Sequence, residues 1–225
     1  MGINAASTIL VVNPNSTEAM TRGIDDACAP LRMPGGPAIE TATLKEGPPG
    51  IETQQHVDGL ISPLTKFVRE REKDYAAFVI ACYSDPGLFS VREVTKKPVL
   101  GIAECGILTA LTMGPRFGVI AILQKSIPRH LRYMGAMGVM DRFAGELPVD
   151  LPVLELADEK KTFGRMVTVG RALRERGADV IVMGCAGMAR YRKGLQDEVG
   201  VPVVEPTQAA VSMAIGRVRT NWEAI

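Results

Sequence analysis

The sequence has almost no excess charge of either sign and no long apolar run. Lysine and arginine number 26, aspartate and glutamate 25, which gives a formal net charge of +1. This balance argues against nucleic acid or an anionic membrane surface as the main partner. No segment approaches the roughly 20 apolar residues of a membrane-spanning helix. No basic stretch precedes an apolar run near the N-terminus, so no signal peptide is predicted and we expect a soluble cytoplasmic protein.

The sequence also lacks the residues of several common catalytic sites. Its two histidines are His56 and His130, and without paired spacing or a Cys-x-x-Cys motif no metal site is predicted. No Gly-x-Ser-x-Gly marks a serine nucleophile, and no strand leads into a Gly-rich cofactor loop or a P-loop. Among catalytic functions, that of an enzyme without a cofactor remains. Four cysteines, in a chain long enough to bury a core, indicate reduced thiols rather than a secreted disulfide framework.

Short runs rich in valine and isoleucine alternate with longer segments of helical periodicity. Because these runs lack polar alternation, they are typical of strands covered on both faces, as in a parallel sheet. The fold class is therefore α/β with parallel sheets, and the Pro/Gly-rich segment 33–50 is expected to be a long loop over a strand end. The predicted helices are 17–28, 53–71 and 162–176. The predicted strands are 8–12, 77–81, 99–102, 117–122, 153–156, 179–183 and 201–204.

Three segments of the first half recur in the same order in the second half. The apolar run into Cys82 recurs before Cys185, at an offset of 103 residues (185 − 82). Residues 98–102 match residues 202–206, and residues 9–13 resemble residues 117–121. We therefore predict two pseudo-symmetric α/β lobes with the active site in the cleft between them. The N-terminal lobe is placed at 1–105 and the C-terminal lobe at 106–205, with a last helix, 206–225, packed back on the first lobe.

Cys82 and Cys185 each stand where a predicted strand stops and a turn begins. Parallel sheets bind ligands outside the carboxyl ends of their strands, and backbone N–H groups in such turns lower a thiol pKa. A lone strand-end cysteine is more often a packing residue, but packing gives no reason for cysteine at both repeat positions. Two facing thiols can invert a stereocentre, one removing a proton from carbon and the other returning one to the opposite face; a disulfide is the other use of such a pair. Cys28 and Cys105 have no repeat partner and are expected to be structural.

Four other polar residues have a structural and a functional interpretation. Asn13, after the first strand, either offers its amide to a ligand or belongs to a plain strand–turn–helix connection. For Glu104 and Glu205, which follow equivalent late strands, we favour helix capping over a paired-carboxylate site. His130 lies in a basic helical stretch and is expected to be solvated.

Characteristic motifs occur in order along nearly the whole chain. They are ILVVNPNST, GPPGIET, ACYSDPGL, VIVMGCAGM and GVPVVEPTQAAV. Their combination resembles the hydantoin/allantoin racemase family of the aspartate/glutamate racemase superfamily. The resemblance implies a two-lobed, pseudo-symmetric α/β fold, racemisation without a cofactor at a carbon flanked by a carbonyl, a neutral five-membered ureide ring as the small-molecule substrate, and a homo-oligomer.

The resemblance also implies roles for individual residues. The two catalytic thiols of the family fall on Cys82 and Cys185, and its ligand-contacting asparagine falls on Asn13. The turns whose N–H groups hold the ligand carbonyls fall on Tyr83, Ser84, Ala186 and Gly187.

One segment departs from the family pattern. After the strand at 117–122 the family usually has a pair of hydroxyl residues, whereas this chain reads AILQKS at 121–126. We expect Gln124 or Ser126 to substitute for those hydroxyls. The more apolar wall around Ile122 is expected to favour a bulkier or more apolar 5-substituent.

The leading hypothesis is a racemase that inverts C5 of 5-substituted hydantoins or of allantoin. Another enzyme of the superfamily (an amino-acid racemase, a cis–trans isomerase or a decarboxylase) is the first alternative. Decarboxylases of this type typically keep one thiol, and an isomerase of a dicarboxylate would need cationic or multiple hydroxyl anchors that the predicted loops lack. A non-catalytic two-lobed protein that binds a small molecule is the second alternative, and the twin cysteines count against it.

Overall fold

Residues 7–152 and 159–222 are described by the computed structural model, and their strands form two four-stranded sheets. The strands are β1 Thr8–Asn13, β2 Ala38–Thr43, β3 Ala77–Ile80, β4 Val99–Gly101, β5 Phe117–Ala121, β6 Phe143–Pro148, β7 Val180–Met183 and β8 Val203–Val204. The sheet orders are β2-β1-β3-β4 and β6-β5-β7-β8, and each of these pairings is parallel. The shared order confirms the predicted fold of two similar α/β lobes.

The α-helices of the described residues connect and cover these strands. They are α1 Glu18–Cys28, α2 Gln54–Gly59, α3 Ile61–Arg71, α4 Leu88–Arg92, α5 Ile102–Met113, α6 Ile127–Ala136, α7 Glu159–Glu175, α8 Arg192–Val199 and α9 Pro206–Thr220. Among the described residues, no helix is both long and apolar enough to cross a membrane.

The central strands are apolar throughout because both of their faces are buried. On β1, Ile9 and Val11 belong to a central cluster that both sheets share, while Leu10 and Val12 belong to an outer cluster. The side chains of β5 are divided in the same way in the second lobe. Val119 belongs to the central cluster, and Ile120 belongs to a second outer cluster. Alternation of side chains between two buried faces explains the runs without polar residues.

Helices α5 and α9 join the two lobes. Although α5 follows β4, it packs on β5, β7 and β8; α9 follows β8 and packs on β1, β3 and β4. The two helices also pack against each other. Residue 105, where we placed the lobe boundary, therefore lies inside α5, a helix shared by the two sheets.

The structure corrects the expectation of a continuous loop at 33–50, which contains strand β2. The strand β6 was also missed. Both strands lie at an edge of their sheet and carry polar or small residues, with sequences AIETAT and FAGELP. Such strands lack the apolar run on which the prediction depended. The strand predicted at 153–156 lies outside the described residues.

The single helix predicted at 53–71 is two helices. α2 ends at Gly59, and α3 begins at Ile61. Pro63 explains the break, because it cannot donate an N–H to the carbonyl four residues earlier and its ring collides with that carbonyl.

Candidate active site

A cavity opens where the central strands of both sheets end. Its empty volume, including the open mouth, is about 490 Å³. Residues that follow β1, β3, β5 and β7 line it, together with residues from α1 and α6. The predicted site residues among the lining are Asn13, Cys82, Tyr83, Ser84, Cys185, Ala186 and Gly187. The two lobes therefore contribute to one site.

Cys82 and Cys185 occupy equivalent positions in their lobes. Each lies two residues beyond the last residue of its strand, β3 or β7. The residue before each cysteine still donates its N–H to the central strand of its sheet, at 2.9 Å in the first lobe and 2.8 Å in the second. Each cysteine carbonyl then accepts an N–H from three residues later, Asp85 at 2.9 Å or Met188 at 3.2 Å. Two matching turns thus present the two thiols to the same cavity.

Burial opposes the ionisation of Cys82. It raises the pKa of Cys82 to about 11, and the negative charge of Asp85 adds to this effect. The backbone N–H and the hydroxyl of Ser84, together with the charge of Arg129, act in the opposite direction. The turn therefore contains groups that stabilise a thiolate.

Cys185 has fewer stabilising neighbours. Burial raises its pKa to about 12, and the charges of Cys82 and Glu205 raise it further. The opposing contact is the backbone N–H of Gly187, which lies 3.3 Å from the Cys185 sulfur. Burial thus opposes thiolate formation at both cysteines, and fewer neighbouring groups counter this effect at Cys185 than at Cys82.

Asn13 lines the cavity, but its amide is engaged in the first loop. Its Nδ2 donates to Asn15 Oδ1 at 3.0 Å, to the Thr17 carbonyl at 3.3 Å and to Thr21 Oγ1 at 3.0 Å. Its Oδ1 accepts the Asn15 N–H at 3.2 Å. These contacts favour the interpretation of Asn13 as an organiser of the strand–turn–helix connection.

Of the two residues after β5 that we expected to replace the missing hydroxyls, only one lines the cavity. Gln124 is exposed and does not line the cavity. Ser126 does line it, and its buried Oγ has no hydrogen-bond partner among the described residues, nor does the Oη of Tyr83. Two buried polar atoms of cavity-lining residues therefore lack a partner among the described residues, and Ile122 contributes an apolar side chain to the lining.

The expectation of a solvated His130 is wrong. Its side chain is 6% exposed and lines the cavity. His130 and Met134 lie on the buried face of α6, and Ser126, just before the helix, is buried on the same side. The spacing of four residues between these three positions is the sequence signal that could have located His130.

Arg129 is a second residue that sequence reasoning missed. It lines the cavity, donates from Nε to Ser84 Oγ at 2.9 Å and from Nη1 to the Glu52 carbonyl at 3.2 Å. Burial lowers its pKa from the ordinary guanidinium value. The site therefore contains a cation, which the loops at the strand ends did not indicate.

Asp85 fixes the turn after Cys82. Its backbone is in the left-handed region, with φ of 42°. Its carboxylate accepts the first N–H groups of α5 from Ala103 at 2.9 Å and Glu104 at 2.8 Å, and the Tyr133 hydroxyl at 2.8 Å. Burial raises the pKa of Asp85 to about 7.

The favoured capping role of Glu205 is confirmed. Its carboxylate accepts the N–H groups of Thr207 at 3.1 Å and Gln208 at 2.6 Å, at the start of α9. Glu104 instead lies in the first turn of α5 and forms an ion pair with Arg92 at 2.5 Å. The two glutamates do not form a carboxylate pair in the cavity, since neither lines it.

The two remaining cysteines, Cys28 on α1 and Cys105 on α5, are buried in the central cluster. Among residues 7–152 and 159–222, no group of three or more histidine, cysteine or acidic side chains is arranged to hold a metal ion.

Comparison with known proteins places the chain in a family. A sequence profile described as Asp/Glu/Hydantoin racemase matches residues 9–214. A hydantoin racemase of Pseudomonas sp. (strain NS671) is 35% identical over 212 residues, which cover 92% of this chain and 84% of that protein. The chain belongs to the Asp/Glu/hydantoin racemase family.

Solved structures of two allantoin racemases have the same fold as this racemase-family enzyme. The one from Klebsiella pneumoniae superposes with a TM-score of 0.88 at 31% identity, and covers 97% of this chain and 90% of its own. The one from Pseudomonas fluorescens superposes with a TM-score of 0.90 at 27% identity, and covers 97% of this chain and 93% of its own.

Proposed function

We propose that this enzyme inverts the C5 stereocentre of 5-substituted hydantoins by proton transfer between Cys82 and Cys185, without a cofactor. One observation carries the proposal: equivalent turns of the two lobes present these thiols to one cavity. The family's curated and solved members include hydantoin and allantoin racemases, whose substrates are ureide rings of this kind.

The proposed reaction needs one base and one acid on opposite faces of the ring. The thiolate of one cysteine takes the proton from C5, and the electron pair of the broken C–H bond spreads into the adjacent carbonyl as an enolate. The thiol of the other cysteine then gives its proton to the opposite face of C5. Because both groups are thiols, exchange of their roles supports the reverse reaction.

Backbone N–H groups of the two turns are suited to hold the ring carbonyls. The N–H groups of Ser84 and Gly187 are directed at the thiols of their own turns. Those of Tyr83 and Ala186 have no hydrogen-bond acceptor within the described residues. Fixed donors of this kind stabilise the charge that develops on an enolate oxygen.

Apolar residues in the lining of the cavity favour an apolar 5-substituent. Apolar side chains from both lobes line it: Met20, Ile24, Ile51 and Ile122. We propose that alkyl and aromatic hydantoins are better substrates than allantoin, whose ureido substituent would lose hydrogen bonds to water against this wall.

The test follows one pure enantiomer of 5-benzyl-, 5-isobutyl- or 5-ureidohydantoin (allantoin) in D₂O. Loss of optical rotation with gain of one deuterium at C5, above the enzyme-free rate, supports the proposal. Bound substrate without either change would indicate a binding protein. Faster turnover of allantoin than of the alkyl and aromatic hydantoins would refute the proposed substrate preference.

A further inference from the structure

The segment after β5 brings a hydroxyl group and a cation to the cavity. Ser126 is the residue that precedes α6, and Arg129 follows it by three positions, so their side chains lie on one face of the helix. Both residues line the cavity. The positive end of the α6 dipole lies at the same point, because the helix begins at Ile127. All three features favour a negatively charged ligand.

Arg129 is held in place by two hydrogen bonds and keeps donors for a ligand. Its guanidinium group carries N–H donors on all three nitrogens. Nε donates to Ser84 Oγ at 2.9 Å, and Nη1 donates to the Glu52 carbonyl at 3.2 Å. Within the described part of the chain, Nη2 has no acceptor and the guanidinium has no ion-pair partner. The fixed contacts therefore leave one edge of the guanidinium without a partner.

The acidic side chains near Arg129 have other partners. The Glu52 carboxylate lies 3.1 Å from Lys125 Nζ. Glu146, whose charge acts on Arg129, has its Oε1 atom 2.6 Å from His130 Nδ1. None of the described residues that line the cavity is acidic. Because Arg129 is half-buried, it has lost part of its hydration, and an anionic ligand would compensate for that loss.

Ser126 provides a second, independent indication of a ligand. The residue is 1% exposed, and its Oγ has no hydrogen-bond partner among the residues that the structure describes. The side chain does not cap α6 either. A buried hydroxyl without a partner costs stability, and an oxygen atom of a ligand in the cavity would accept its proton.

We propose that Ser126 and Arg129 form a carboxylate-binding subsite, which makes hydantoins with an acidic 5-substituent, such as 5-(2-carboxyethyl)hydantoin, substrates of this enzyme. In the proposed reaction the turns after β3 and β7 hold the ring, which leaves the segment after β5 to contact the substituent. The apolar residues of the lining then contact the methylene groups between the ring and the carboxylate. This inference rests on the proposed function, whose comparison of alkyl, aromatic and ureido hydantoins concerns uncharged substituents.

Two ligands of the same shape and different charge provide the first test. They are 5-(2-carboxyethyl)hydantoin and 5-(2-carbamoylethyl)hydantoin, in which an amide replaces the carboxylate. Calorimetric titration with each racemic ligand measures binding alone, because a racemic mixture undergoes no net reaction. We expect the carboxylate to bind about tenfold more tightly than the amide, and kcat/KM for racemisation to follow the same order through KM. Equal affinities, or tighter binding of the amide, would overturn the proposal.

Variants show whether the two residues recognise the charge. Arg129→Met should reduce the ratio of carboxylate to amide affinity to about one. Ser126→Ala should lower it about threefold and leave the urea midpoint unchanged or higher, because it removes a buried hydroxyl without a partner. The matched control is Arg132→Met, which removes the same charge from α6 outside the lining of this cavity and should preserve the ratio.

Equal losses of affinity for both ligands in Arg129→Met would show that Arg129 only supports the turn that contains Ser84, and would reject the subsite. Ser126→Ala provides the measurement if Arg129→Met does not fold. Glutarate that binds as tightly as the carboxyethyl hydantoin would show a site for free dicarboxylates, and would reject the assigned substrate class.

The outcomes separate this inference from the proposed function. Racemisation of alkyl and aromatic hydantoins without any preference for the carboxylate would reject the subsite and leave the two-cysteine function standing. Carboxylate-selective binding that Arg129→Met abolishes, without racemisation of any hydantoin, would support the subsite and reject the function.

Discussion

Asp85 and Gly101 are predicted to be energetically coupled. A β-carbon built on Gly101 would lie 2.2 Å from the carboxyl carbon of Asp85, and its three nearest atoms all belong to that carboxyl group. The backbone of Gly101 has φ of −97°, which any residue adopts. Glycine is therefore needed at 101 only because the Asp85 carboxylate occupies the space of its side chain while it caps α5.

The contacts of the Asp85 carboxylate determine how much stability Gly101→Ala should cost. Gly101→Ala would displace the carboxylate from two helix N–H groups, at about 1 kcal/mol for a lost cap, and leave a buried polar group such as the Tyr133 hydroxyl without a partner, at about 1–3 kcal/mol. We expect a total loss of about 2–4 kcal/mol. Asp85→Ala should cost a similar amount, because it removes the same contacts.

The double variant Asp85→Ala/Gly101→Ala tests whether the two positions are coupled. With Asp85→Ala in place, Gly101→Ala has room and should cost less than about 0.5 kcal/mol. Gly101→Glu in the same background should recover about 1 kcal/mol, because the equivalent position of the second lobe, Glu205, caps α9 with its own carboxylate.

Urea unfolding of the four proteins and of the Asp85→Ala/Gly101→Glu variant measures these differences from transition midpoints and slopes. Additive costs of Gly101→Ala and Asp85→Ala would refute the steric coupling. Failure of Gly101→Glu to recover stability would show that the two lobes do not cap their helices in interchangeable ways.

Three further changes have defined outcomes. Burial raises the pKa of Glu205 to about 7. The contribution of Glu205 to stability is therefore complete below the pKa it has in the unfolded chain, and it is lost as the pH rises through about 7. Between these two pKa values, the unfolding free energy of the wild type should fall relative to that of Glu205→Gln by up to about 1.4 kcal/mol per pH unit; parallel pH profiles in urea titrations would contradict this expectation. Gly184→Ala places a β-carbon 2.4 Å from the Ile120 carbonyl oxygen, which should displace the Cys185 turn and lower kcat by more than about tenfold; a wild-type kcat would show that the turn is not held rigidly. Ile122→Thr should raise the ratio of allantoin to benzylhydantoin turnover, measured by polarimetry, and an unchanged ratio would exclude this wall as the specificity determinant.

Sequence reasoning located the buried strands because burial on both faces leaves an unmistakable apolar run. β1, β3, β5 and β7 are such strands. Most residues of the edge strands β2 and β6 are only partly buried, and the two strands contain threonine, glutamate and glycine, so no apolar run distinguishes them from loops. Their positions follow from pairing with β1 and β5, which is a property of the folded sheet.

The same distinction applies to the site. Cys82 and Cys185 could be found because the internal repeat placed each at the end of a buried strand. His130 and Glu146 lie 16 residues apart, and Ser84 lies 46 residues before His130. Only the packing of α6 between β6 and the Cys82 turn brings the three together. The local sequence around His130 is basic, and basic neighbours predict an exposed side chain.

In the proposed reaction, Cys82 and Cys185 act on opposite faces of C5. The most direct test measures deuterium gain at C5 in D₂O for each enantiomer separately, with Cys82→Ser and Cys185→Ser. Each variant keeps one thiol, which can remove the proton and return a deuteron on its own side only. We expect neither variant to racemise, and each to exchange a different enantiomer with retention of configuration. Exchange of the same enantiomer by both variants, or racemisation at the wild-type rate by either, would rule out proton transfer between the two cysteines.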